Sequence, residues 1–193
     1  MPQEISAALK FSSNRLNEFC IGRHCARKAL IEAGADQTPL LVAKNGSPTW
    51  PKNYVGSIAH THNYTAAVVS DIGQTRSIGI DIEELSNFPL EIKSDILRLD
   101  EAEQYLANEL HTDQIKLALY FSIKEAVYKA YNPVFQEFLE FQDVKVELNI
   151  AASSYKAHIH QAQGTDRAKQ KIFSIQGLYA VDSTRVYSSA WIR

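Results

Sequence analysis

The chain has 193 residues, of which 45% are hydrophobic and 22% charged, with 20 Lys and Arg against 22 Asp and Glu for a net charge of −2. That composition belongs to a folded domain with a core of its own and argues against disorder or a coiled coil. The missing basic excess counts against a generic nucleic-acid binder.

No apolar run approaches the roughly 18 residues of a membrane span. The start, MPQEISAALKFSSN, lacks a basic stretch followed by an apolar one, so secretion is not expected. Cys20 and Cys25 do not form a CxxC pair, and they read as reduced thiols of a cytoplasmic protein.

In chain order, apolar residues at three- and four-residue steps predict a helix over Asn17–Ala33, stopped by Gly34. Thr38–Lys52 is punctuated by Asn45-Gly46-Ser47-Pro48 and Trp50-Pro51 and reads as loop and short strand. Tyr54–Ala59 and Thr65–Asp71 read as a hairpin joined by His60–Tyr64. Ser77–Glu83 alternates strictly, as a third strand. Leu90–Leu110 and Thr112–Tyr131 predict two helices, the second ended by Asn132-Pro133. Val144–Ile150, Tyr155–His160, Lys171–Gln176 and Leu178–Ile192 read as strands. The order predicts an α+β fold. A change of half falls near Gln74–Arg76, giving parts 1–76 and 77–193.

Four segments could carry chemistry. In Ser77-Ile78-Gly79-Ile80-Asp81-Ile82-Glu83, residues two apart share a face. The isoleucines are expected to face a core, with Gly79, Asp81 and Glu83 on the other side. Two carboxylates about 7 Å apart along a strand repel each other unless a cation intervenes. Mg²⁺ with oxygen ligands fits, and an edge strand with solvated acids is the plain alternative. In Phe121–Ala130, helical spacing puts Phe121, Glu125, Tyr128 and Lys129 on one side. Glu125 and Lys129 read either as a metal ligand or base beside a phosphate contact, or as a surface ion pair. His60 closes Gly56-Ser57-Ile58-Ala59-His60 and could face a polar ligand or sit in a turn; with His62 it gives at most half a zinc site. Arg23 and Arg27 share a helix face that suits phosphate, or is simply solvated.

In this order, the motifs resemble the 4′-phosphopantetheinyl transferases of the enterobactin- and surfactin-synthase type. The matching residues are Asn17-Glu18-Phe19, then Arg23-His24-Cys25-Ala26-Arg27, Trp50-Pro51, Gly56–His60, Gly79–Glu83 and Phe121–Lys129. The resemblance implies a pseudo-twofold pair of α+β halves, each an antiparallel sheet packed with helices, and an active site in the cleft between them. It implies transfer of 4′-phosphopantetheine from coenzyme A to a serine of an apo acyl, aryl or peptidyl carrier protein, with release of adenosine 3′,5′-bisphosphate. Mg²⁺ is the implied cofactor, with Mn²⁺ as an alternative. Siderophore or other nonribosomal peptide or polyketide synthesis is the implied setting. A monomer is expected, with no nucleic-acid partner.

The resemblance also assigns residues. Asp81, Glu83 and Glu125 correspond to the metal acids, and Ile82 to a backbone position at the metal. Glu125 corresponds to the group that deprotonates the serine. Lys129 and His60 correspond to contacts with the coenzyme A phosphates. Arg15 and Arg23 correspond to 3′-phosphate ligands, and Lys44, Asn45 and Ala59 border the ligand. Three positions depart from the family pattern. Val42 lies where some relatives carry a lysine nearby, Ala59 replaces a serine or threonine, and Phe121 replaces a tryptophan. A Mg²⁺-dependent nuclease and a non-catalytic coenzyme A-binding module are the rival readings. Residues 81–109 hold nine acids against two basic residues, and most of those beyond Glu83 read as a solvated helix face.

Overall fold

A computed structural model describes residues 3–4, 8, 11–43, 46–86, 88–107, 112–160 and 173–193. Helix α1 (Ser13–Glu32) begins where the Ser12 hydroxyl accepts the Arg15 N–H, a turn before the apolar pattern becomes legible. It buries Phe19, Gly22, Arg23, Ala26 and Leu30 and ends at Gly34, whose φ of 85° only glycine adopts readily. This face lies on a hairpin of β1 (Tyr54–Thr61) and β2 (Tyr64–Asp71). Gly22 allows the close approach, since a Cβ there would stand 3.0 Å from Ile58. Ala26, Leu30 and Leu40 form a small core with Trp50, Tyr54 and Ile58. The hairpin turn is shorter than the sequence suggests. Thr61 pairs with Tyr64, and only His62 and Asn63 bridge the strands, with Asn63 at φ 57°.

The second half is a five-stranded antiparallel sheet in the order β3-β7-β6-β5-β4. Its strands are β3 (Ser77–Glu84), β4 (Val144–Asn149), β5 (Ser154–Ile159), β6 (Phe173–Val181) and β7 (Arg185–Ile192). The long helix α4 (Asp113–Phe135) packs on one face of this sheet and shares the larger core with its strands. Between β3 and α4 run two short helices, α2 (Lys93–Ile96) and α3 (Ala102–Ala107), joined through a 3₁₀ turn at Leu99–Glu101. The α+β architecture is as the sequence predicts, with sheets of two and five strands.

Four local expectations are corrected. The single helix over Leu90–Leu110 is broken into these pieces. Leu99 is 98% exposed and Leu106 70%, so the apolar positions that suggested one amphipathic face do not share a core. Residues 108–111 lie outside the described ones. Helix α4 does not stop at Asn132-Pro133. Pro133 removes one hydrogen bond in the last turn, and the helix closes when the Gln136 N–H reaches Asn132 O at 2.8 Å. The strand break near Gly177 is absent. Gly177 lies inside β6 because Tyr155 crosses it, and a Cβ there would meet the Tyr155 ring at 2.1 Å. The true turn is at Asp182, whose Oδ1 accepts from Thr184 N–H and Arg185 N–H.

The fourth correction concerns β3. The acid-bearing face is the one under α4. A Cβ on Gly79 would stand 2.0 Å from Ala126 O, so Gly79 marks where the helix rests on the strand. Ile78 and Ile80, expected in a core, are only half-buried; Ile82 is buried, on the face where Tyr187 pairs with it. β1 lies beside the free edge of β3, where Ser57 Oγ accepts the Ile80 N–H at 3.1 Å. The hairpin tip then meets the sheet where Tyr64 packs edge-on against Tyr187.

Candidate active site

Strand alternation puts Gly79, Asp81 and Glu83 on the side of β3 that faces α4. On α4, Ser122, Ile123, Lys124, Ala126, Val127 and Ala130 are buried. Phe121, Glu125, Tyr128 and Lys129 are half-buried, so the side grouped by helical spacing is the side that opens to solvent.

The two elements meet at an ion pair. Lys129 Nζ donates to Asp81 Oδ1 at 2.7 Å. Asp81 is 5% exposed, and its Oδ2 is buried with no hydrogen-bond partner among the described residues. An orphaned buried acceptor costs about 1–3 kcal/mol, so one is kept only where something else compensates. Burial pushes the Glu83 carboxyl up to about 7, and the nearby charges of Asp81 and Glu125 add to the shift while Lys129 opposes it. Glu125 is raised as well, first by burial and then by Asp81. The Asp81 charge thus disfavours ionisation of both Glu83 and Glu125, and Lys129 opposes it.

A hard cation with oxygen ligands would satisfy the Asp81 Oδ2 and relieve this repulsion, so the donor set fits Mg²⁺. Among the described residues, no three His, Cys, Asp or Glu side chains stand ready-closed as a metal cluster. Lys129 takes one of the two Asp81 oxygens. Beside Glu83 opens a groove of about 320 Å³, walled by Phe88, Ile92 and Phe121.

The other candidate residues lie on α1 and β1. Arg15 Nη1 lies 2.8 Å from His60 Nε2 and donates to Glu18 Oε2 at 3.1 Å. His60 is held below its ordinary range, first by burial, with Arg15 and Lys129 adding to the shift and Glu18 and Asp81 opposing it. Arg23 is 6% exposed, donates through Nε to Leu40 O, and stacks its guanidinium 4.5 Å from the Phe19 ring. Its burial lowers its own pKa. Arg27, which shares the Arg23 face, is paired to buried Glu4 at 2.6 Å. Ala59 is 1% exposed. Lys44 and Asn45 lie outside the described residues.

Several contributors were not singled out from the sequence. Lys124 is 1% exposed and donates to Ile96 O, Phe141 O and Glu101 Oε2. Glu101 is equally buried and also accepts the Arg98 and Val146 N–H groups, so it is not part of a solvated face. A lysine in register with Tyr120, Ile123 and Val127 on the apolar side of α4 was the available signal. Ser188 pairs with Asp81 across β3–β7, and its Oγ donates to Ser122 O at 2.7 Å, tying α4 to the sheet.

Comparison with known proteins shows the family. Residues 3–70 match the 4′-phosphopantetheinyl transferase N-terminal domain, and residues 77–181 match the 4′-phosphopantetheinyl transferase superfamily. The chain belongs to this superfamily. A 4′-phosphopantetheinyl transferase of Mycobacterium tuberculosis is 36% identical over 149 residues, covering 76% of this chain and 64% of that protein. One from Nocardia iowensis is 34% identical, covering 79% and 68%. Enterobactin synthase component D of Salmonella typhimurium is 37% identical over 120 residues, covering 61% and 49%. The chain thus spans half to two-thirds of the length of these relatives. Among solved structures, the holo-[acyl-carrier-protein] synthase of Thermotoga maritima aligns over 60% of this chain and 62% of that one, with 20% identity and a TM-score of 0.45.

Proposed function

We propose that the chain transfers 4′-phosphopantetheine from coenzyme A to a serine hydroxyl of an apo acyl, aryl or peptidyl carrier protein and releases adenosine 3′,5′-bisphosphate. The observation that carries this reading is the buried, unpartnered Asp81 Oδ2, set among Glu83, Glu125 and Lys129. Coenzyme A is a polyanion, and phosphoryl transfer needs mainly positioning and charge neutralisation.

Asp81, Glu83 and Glu125 would hold Mg²⁺, or Mn²⁺ in its place, with the Ile82 backbone beside it; the ion supplies charge neutralisation at the pyrophosphate. Lys129 binds pyrophosphate oxygens and offsets the negative charge that develops there, and His60 is a further phosphate contact beside Arg15. Arg15 and Arg23 hold the 3′-phosphate, and the loop at Lys44, Asn45 and Ala59 borders the nucleotide. Glu125 accepts the serine proton. The serine oxygen then bonds to the pantetheine-bearing phosphorus, and the bond to the nucleotide half breaks. The groove beside Glu83 gives the pantetheine arm room.

On this reading, residues 1–76 supply the phosphate wall and residues 77–193 the acid centre, around one cleft. The protein works as a cytoplasmic monomer. No helix among the described residues is long and apolar enough to cross a membrane. Carriers of siderophore and other nonribosomal peptide or polyketide assembly are the first to test, given the likeness to an enterobactin synthase component.

The test incubates the protein with coenzyme A, Mg²⁺ and a panel of apo carrier domains, and reads the carrier serine by mass spectrometry. A phosphopantetheine adduct on at least one carrier supports the proposal. No adduct on any carrier, with coenzyme A still bound, indicates a binding module instead. Cleavage of DNA or RNA under the same conditions indicates a nuclease.

A further inference from the structure

Three side chains converge at the mouth of the phosphate wall. Arg15 Nη1 is 2.8 Å from His60 Nε2 and 3.1 Å from Glu18 Oε2, and that oxygen is 3.9 Å from His60 Nε2. Arginine has donors only, so His60 accepts at Nε2. Its ring is then neutral and carries its hydrogen on Nδ1. Both hydrogens of Arg15 Nη1 are spoken for, one by the imidazole and one by the carboxylate. Arg15 and Glu18 are 51% and 42% exposed, one turn apart on α1, and neither side chain is needed to fill a core. The contact is therefore a weak, solvent-facing one in the fold. It sits where Arg15 and His60 would otherwise meet an incoming anion.

We infer that Glu18 is a displaceable internal anion, which occupies the Arg15–His60 corner in the free protein and competes with the 3′-phosphate of the ligand. The inference rests on the proposed role of Arg15 and His60 as phosphate ligands. A phosphate brings more negative charge and more acceptor oxygens than a carboxylate, so it wins the guanidinium, but against opposition. Glu18 must swing away, and the His60 ring must turn an N–H toward the phosphate in place of its accepting nitrogen. Substrate and nucleotide product carry the same 3′-phosphate. Opposition from Glu18 weakens both, so it speeds product departure at the expense of substrate affinity.

The probe is adenosine 3′,5′-bisphosphate, titrated calorimetrically into the full chain, with adenosine 5′-monophosphate as the control lacking the 3′-phosphate. Glu18→Gln removes the charge and keeps the shape. It should bind the bisphosphate about five- to tenfold tighter at low salt. The gain should shrink as salt screens the corner. The monophosphate should show no gain, and Glu18→Asp should stay near wild type. In turnover, KM for coenzyme A and the inhibition constant of the bisphosphate should fall together. Unchanged or weaker bisphosphate binding by Glu18→Gln overturns the inference and makes Glu18 a partner of the ligand or a bystander.

Arg15→Gln separates the two layers of the argument. It should weaken bisphosphate binding and abolish any gain from Glu18→Gln in the double variant. If Arg15→Gln leaves bisphosphate affinity intact, the 3′-phosphate does not sit at this corner, and the site assignment falls with the inference.

Discussion

Gly79→Ala adds one methyl group at the point where α4 rests on β3. The new Cβ would lie 2.0 Å from Ala126 O, 2.7 Å from Ala130 N and 3.0 Å from Lys129 Cβ. Two of these are backbone atoms of a helix whose neighbouring side chains are buried, so no side chain can rotate away. The helix must lift by more than about 1 Å to restore an ordinary carbon–oxygen contact. Overpacking of a tight core costs about 1–3 kcal/mol, and this contact belongs at the upper end. For a chain of this size, about 3 kcal/mol lowers Tm by roughly 6–12 °C. The same lift carries Lys129 away from Asp81, with which it makes a 2.7 Å contact, and shifts Glu125 relative to Glu83. A misplacement of about 1 Å at a reacting centre costs on the order of 100-fold in rate. Guanidinium unfolding followed by Trp50 and Trp191 fluorescence, together with transfer rate, reads both effects. A variant within about 0.5 kcal/mol of wild type and transferring normally would refute the helix-on-strand contact as the determinant of the site.

Two further predictions address the frame and the acids. Lys124→Met leaves Glu101 and two carbonyls without their buried donor, and should cost about 3–5 kcal/mol in the same unfolding assay; a loss under 1 kcal/mol would show that the pair is dispensable. Glu83 has its carboxyl raised from 4.5 to about 7, so the folded state binds its proton more tightly than the unfolded state does. The stability this provides is complete below about pH 4.5 and is lost as pH rises through about 7, amounting to about 2–3 kcal/mol in metal-free protein. Unfolding between pH 5 and 8 should show that decline in wild type and not in Glu83→Gln. Added Mg²⁺ should reduce it. Equal slopes in the two proteins would contradict the crowding of the three acids.

Local residue patterns made the two walls of the site legible in sequence. Period-two alternation put Asp81 and Glu83 on one face, and period 3.6 put Glu125 and Lys129 on one side of a helix, because both are set by backbone geometry. The sheet as a whole was not legible. Three isoleucines suggested a core on their own face of β3, yet Gly79 is what admits α4, and it admits it on the acid face. Nothing local in β3 says which face a helix that begins at Asp113 will choose. Lys124 and Glu101 lie 23 residues apart and meet only in the folded chain. Leu99 and Leu106 suggested a helix stripe but lie on the surface, while Glu101 between them turns inward to cap Arg98 and Val146. The Glu18–Arg15–His60 corner joins α1 to the end of β1, and only tertiary packing brings those elements together.

The central claim is that the acids on β3 and α4 form the transfer centre. The most direct measurement compares wild type with Asp81→Ala and Glu125→Ala on one apo carrier that accepts phosphopantetheine, with coenzyme A and Mg²⁺ in excess. Thermal unfolding confirms that each variant is folded. The account predicts steady accumulation of phosphopantetheinylated carrier with wild type and none above background with either variant. Near-normal turnover by folded Asp81→Ala or Glu125→Ala would contradict it.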